Sequence, residues 1–215
     1  MKLSTIIQSA RSGELRDLND NLVTDEKIVD YVNMALIALY SKFDLKYGEA
    51  ILTLQDGKSL YKLDGTDTDV VVDGSTVENY SVMTIVKAYD DEGEIPLNSE
   101  SQDKSVFTPT YNTVQVPDSA TGAYVSILFK ANPTLIVYTE GMDTTAVEVE
   151  IPHTLLEAML VYVGYRAHAS YSDDVNDNNS PHFGRYLMLC NKALEYGAVP
   201  SDDMYRANEV KGFTV

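Results

Sequence analysis

Three side-chain groupings have the types and spacing that chemistry would need. The first is Asp90-Asp91-Glu92. Two carboxylates at a suitable separation cleave glycosides, one as acid and the other as nucleophile or base. Adjacency in sequence does not fix that separation, and Gly93 follows directly, so the run reads as a solvated turn. The absence of Trp further weakens a sugar-stacking site.

The second grouping is the loop Asp173 to Asn179, where Asp174, Asn176 and Asn178 alternate oxygen donors as a calcium loop begins. The pattern then fails. The sharp-turn glycine position holds Asn179 and the bidentate glutamate position holds Arg185, which has the wrong charge. A plain interhelical turn is the expectation.

The third is the set of titratable and nucleophilic groups His153, His168, His182 and Cys190. The histidines lack the i, i+4 pairing of a helical zinc site, and no second cysteine helps. Cys190 lies among Leu187, Leu189 and Leu194 and reads as a buried small hydrophobe. Neither a Gly-rich phosphate loop nor a nucleophile elbow is present. The sequence therefore nominates no catalytic, cofactor-binding or metal-ligating residue, and a non-enzyme without cofactors is expected.

The elements that would position any such groups come in a helix, sheet, helix order. Leu3, Ile6, Ile7 and Ala10 share one face of a short helix that Gly13 ends. Thr24 caps a second helix, Asp25 and Glu26 suit its positive start, and Ile28, Tyr31, Val32, Ala35, Leu36, Leu39 and Tyr40 recur at helical spacing. From Ala50 the period becomes that of strands, with Asp56-Gly57 and Asp64-Gly65 as turn signals, so the middle is expected to begin as a hairpin. Further β-branched or aromatic runs cover Val70 to Val72, Tyr80 to Tyr89, Glu94 to Leu97, Thr113 to Val116, Ala123 to Phe129, Thr134 to Tyr138 and Ala146 to Ile151. Helical spacing returns after Pro152, with Thr154 and Glu157 as a capping box and a broadly apolar run from Leu155 to Ala167. Ser180 and Pro181 start a last helix, whose face is read as Tyr186, Leu187, Leu189, Cys190, Ala193 and Leu194 and whose stop is Gly197.

The fold class that follows is α+β. A helical bundle is formed by the N- and C-terminal helices, residues 1–46 and 151–199. An antiparallel β-sandwich or barrel-like domain is inserted over 47–150. An extended tail covers 200–215, in which Met204, Tyr205, Val210, Phe213 and Val215 are apolar anchors for docking a partner.

Charge narrows the partners. The 215 residues hold 33 acidic and 16 basic side chains, a formal net charge of -17. Residues 47–150 alone carry 18 acids against 5 bases. A nonspecific grip on nucleic-acid phosphates is thereby disfavoured. The opening residues form neither a signal peptide nor a membrane span, so a soluble chain assembled in a cytoplasm is expected.

The chain resembles the head-to-tail adaptor, or connector, proteins of short-tailed bacteriophages. The resemblance rests on Leu22-Val23-Thr24-Asp25 leading into Ile28-Val29-Asp30-Tyr31-Val32-Asn33, and on Val147-Glu148-Val149-Glu150-Ile151-Pro152 leading into Leu155-Leu156-Glu157-Ala158-Met159-Leu160. The β insertion is long beside the simplest adaptors, which are mainly helical. The resemblance implies a virion protein at the head-tail junction: a homo-oligomeric ring, typically a dodecamer, beneath the portal protein. It also implies contact with a tail or nozzle protein and with tail fibers, and passage of DNA without specific binding. Alternatives are another tail module (nozzle, tube or decoration protein) or a carbohydrate-binding or glycoside-cleaving protein.

Overall fold

The computed structural model describes residues 1–72, 82–100, 103–117, 123–170 and 181–197. The fold is mixed helix and antiparallel sheet. Helices α1 (Leu3–Ser12) and α2 (Asp25–Lys42) precede eight strands. These are β1 (Tyr47–Thr53), β2 (Leu60–Lys62), β3 (Val70–Val72), β4 (Val82–Asp90), β5 (Gly93–Ile95), β6 (Phe107–Thr110), β7 (Thr113–Gln115) and β8 (Tyr124–Ala131). A 3₁₀ turn (His153–Leu155), α3 (Leu156–Ala169) and α4 (Pro181–Glu195) follow. The chain forms two compact units, one of residues 1–45 with 133–215 and the other of residues 46–132.

In the helical unit, α3 packs against α1, α2 and α4. That three-sided contact explains its broadly apolar sequence: Ala158, Met159, Val161, Val163, Tyr165 and Ala167 are all buried. The α2 start is as the sequence implies, with the Thr24 hydroxyl accepting from the Lys27 N–H at 3.4 Å. The α3 start is not. Thr154 falls inside the 3₁₀ turn, and the residue before α3 is Leu155, which makes no side-chain cap. Glu157 accepts instead from Arg185 at 2.9 Å.

Residues 133–150 lie in the helical unit, and neither Thr134 to Tyr138 nor Ala146 to Ile151 forms a strand. Their β-like composition serves an extended strap whose backbone bonds go elsewhere. The Asn33 side chain donates to the Ile136 carbonyl and accepts from the Ile136 N–H, both at 2.9 Å. At the far end Leu3 N–H donates to Val147 O at 3.0 Å and Val149 N–H to Met1 O at 2.7 Å. Tyr40, 2% exposed, donates its hydroxyl to Glu150 O at 2.9 Å.

The other unit holds a five-stranded sheet, ordered β3-β1-β8-β4-β5, and a three-stranded sheet, ordered β2-β7-β6. Both are open, so the closed-barrel expectation is not met. The expected opening hairpin is also absent. Gly57 and Gly65 do take the positive φ of 77° that their turns require. Both edges of β1 are already taken by β3 and β8, however, so β2 pairs with β7 in the other sheet. One apolar cluster contains inward residues of both sheets, among them Ala50, Leu52, Ile127 and Phe129 with Tyr61, Val114 and Val116. Gly48 faces Phe129 across the ladder, where a Cβ would stand 2.5 Å from the ring.

Two outcomes follow for the helical unit. Asn33→Ala strips both partners from Ile136, and we expect a loss of about 1–3 kcal/mol in urea unfolding; an unchanged midpoint would refute the anchoring role. Burial, with the Glu150 charge second, pushes the Tyr40 phenol up to about 12. Its proton is held by both states below about pH 10 but is lost first from the unfolded chain above it, so stability falls as pH rises through that window. In Tyr40→Phe this alkaline decline should flatten, read as unfolding midpoint against pH.

Candidate docking surfaces

Among the described residues, none of the groups with the types for chemistry is arranged for it. Asp90 is an Asx-turn residue whose carboxylate accepts from the N–H groups of Glu92 at 2.9 Å and Gly93 at 3.1 Å. Glu92 pairs with Lys104 at 2.6 Å. These three distances describe a fastened surface turn, not a pair of carboxylates across a substrate. The loop Asp173 to Asn179 lies outside the described residues, as do the tail anchors Met204, Tyr205, Val210, Phe213 and Val215. Among the described residues no three His, Cys, Asp or Glu side chains converge as metal ligands. Cys190 is fully buried, and burial pushes its thiol up, away from the thiolate that nucleophilic work needs.

Two of the three histidines do meet, in a structural cluster. His168 on α3 and His182 on α4 stack with ring centroids 4.8 Å apart. Glu14, just beyond α1, holds both: its carboxylate lies 3.1 Å from His182 Nδ1 and its backbone oxygen 3.1 Å from His168 Nε2. The same carboxylate accepts from Arg185 at 2.7 Å, and Arg185 reaches on to Glu157. Gly164 makes room for this, since a Cβ there would come 2.8 Å from Glu14 Cβ. The cluster fastens α1, α3 and α4 at one point. His153 stands apart, in the 3₁₀ turn.

A second fastening that the sequence did not reveal lies in the β unit. Lys58 Nζ sits 2.6 Å from Asp67 and 2.7 Å from Asp69, and 4.8 Å from the Tyr61 ring centroid. Burial of Asp67 opposes its charge. The bonds from Lys58 and from the N–H groups of Asp69 and Lys62 outweigh that and hold its carboxyl below the usual range. Nothing in the local pattern joins Lys58 to residues nine and eleven places on.

What the surface does offer is apolar contact. On α4 the core side is Tyr186, Cys190 and Ala193, while Leu187, Met188 and Leu194 are exposed. The single face read from sequence for that helix is thus corrected: its apolar residues span too wide an arc for one side of a 3.6-residue turn, and Leu187 and Leu194 face water. On α2, Met34 and Ile37 are exposed, and Leu135 and Val137 of the strap flank the Asn33-bonded Ile136. In the β unit Ile51, Val71 and Tyr124 are exposed on the five-stranded sheet. Among the described residues no helix is long and apolar enough to cross a membrane. Exposed aliphatic groups of this kind suit a protein that docks to others.

A model of the SU10 adaptor protein family matches residues 1–210. The chain belongs to that family. It is therefore a phage structural adaptor, a virion component that meets portal and tail components, and a non-enzyme by family. No curated protein matches the chain. For the adaptor, the clasp centred on Glu14 has a structural job, which is to hold α3 and α4 to the end of α1. Glu14→Ala should cost about 1–3 kcal/mol, since it leaves Arg185 and His182 without their shared acceptor. Thermal unfolding checks this, and a wild-type Tm would remove the clasp from the account.

Proposed function

We propose that this adaptor forms a homo-oligomeric ring, a dodecamer, beneath the portal of a short-tailed phage. It joins capsid to tail, contacts a nozzle or other tail protein and tail fibers, and lines the exit channel. The match of residues 1–210 to the adaptor family carries the reading. The helices then act as a bundle-like body, the two sheets as a sandwich-like insertion, and residues 200–215 as the segment that docks on the portal. The physical support for that last role is compositional: Met204, Tyr205, Val210, Phe213 and Val215 put apolar anchors into an otherwise polar stretch.

The charge supports the channel role. A surface with 18 acids against 5 bases over residues 47–150 repels phosphate, so DNA passes without adhering. Assembly takes place in the host cytoplasm before the particle is complete.

Deletion of residues 200–215 tests the docking assignment. Capture of the adaptor by its immobilised portal ring should drop at least tenfold, equivalent to about 1.4 kcal/mol or more. Capture at the wild-type level would show that the tail is not the portal-binding segment.

A further inference from the structure

The helical unit has two apolar faces that its own core leaves uncovered. One is on α4, where Gly184, Leu187, Met188, Asn191 and Leu194 fall on one side by helical spacing, opposite the buried Tyr186 and Ala193. Leu187, Met188 and Leu194 are 39%, 49% and 37% exposed. The other is on α2 and the strap, where Met34 and Ile37 are 39% and 44% exposed, and Leu135 and Val137, on either side of the Ile136 that Asn33 bonds, are 49% and 77% exposed. An amphipathic surface helix would carry polar residues at these positions.

Charge selects the occupant. The two faces complement each other in charge: Asp30 lies one helical turn before Met34, and Lys192 one turn after Met188, both exposed. Antiparallel contact between α2 of one copy and α4 of another brings Asp30 to Lys192 while Met34 meets Met188.

We infer that the α4 face of one copy packs antiparallel onto the α2 and strap face of a second copy. The contact is head-to-tail: each chain offers one face of each kind, and the repeat closes as a ring or continues, whereas a like-with-like contact stops at two. The inference rests on the adaptor reading and specifies which surfaces join its subunits.

Cysteine cross-linking of the full chain tests it, since Cys190 is buried and stays silent. A chain carrying both Met34→Cys and Met188→Cys should form a ladder of linked species on mild oxidation. Either single variant should form none, and a mixture of the two singles should stop at linked dimers. Linked dimers from Met188→Cys alone would overturn the inference in favour of α4 pairing with α4, and an unlinked double variant would overturn it outright. Should a cysteine variant lose its wild-type Tm, exposed charge changes read the same contact. Asp30→Lys and Lys192→Glu should each weaken self-association in sedimentation, and the double swap should restore it; a swap that restores nothing counts against the pairing. Capture on the portal ring is scored separately. A lost ladder with capture intact removes only this interface, and lost capture with the ladder intact removes only the adaptor assignment.

Discussion

The helical unit depends on burying α3 from three sides. A helix with Met159, Val161, Val163 and Ala167 all out of water buries most of its circumference, so α1, α2 and α4 must each supply a wall. Short helices cannot do this on propensity alone, because most helical stability in proteins comes from tertiary packing. The polar fastenings are placed accordingly. Glu14 ties α1 to α3 and α4 through His168, His182 and Arg185. Asn33 and Tyr40 tie α2 to the strap at its two ends, through Ile136 and Glu150. Each bond adds little by itself, about 1 kcal/mol net, but each also satisfies a group that would be costly to leave unpaired.

The β unit solves the same problem with alternation. Inward Val125, Ile127 and Phe129 on β8 alternate with Ser126 and Leu128, and the cluster they join takes in residues of the smaller sheet. Tyr61 is fully buried there because its hydroxyl has two partners, accepting from Gln55 N–H at 3.0 Å and donating to Lys58 O at 3.1 Å. Lys58 in turn is fixed by Asp67 and Asp69, so the loop that carries the chain from one sheet to the other is also closed by charge.

What the sequence showed and what it hid divide along the range of the interactions. Local rules worked: Thr24 caps α2, Gly13 follows α1, and both Asp-Gly pairs form their turns. Rules that depend on distant partners failed in identifiable ways. The runs at 134–138 and 146–151 look like strands because β-branched residues favour any extended backbone, and distant partners, Asn33, Tyr40 and the backbone of residues 1–3, hold them as a strap. The Asp56-Gly57 turn was correctly a turn and wrongly a hairpin, because strand pairing is set by which edges of β1 remain open. Thr154 and Glu157 have the spacing of a capping box, yet Arg185, 28 residues away, takes the glutamate. The Glu14 cluster gathers three elements, so no window of sequence contains it.

The exposed apolar residues were hidden for a different reason. Periodicity identifies an apolar stripe but does not say how wide a core can cover. On α4 the core covers Tyr186, Cys190 and Ala193 and leaves Leu187 and Leu194 in water, although all five belong to one apolar helix by composition. The surplus is the informative part. A chain at -17 needs no exposed leucine or methionine for its own folding, and each one raises the risk of indiscriminate association. Apolar surface that the core of the helical unit leaves over adds nothing to that unit's own burial, which suits it to contact with another chain.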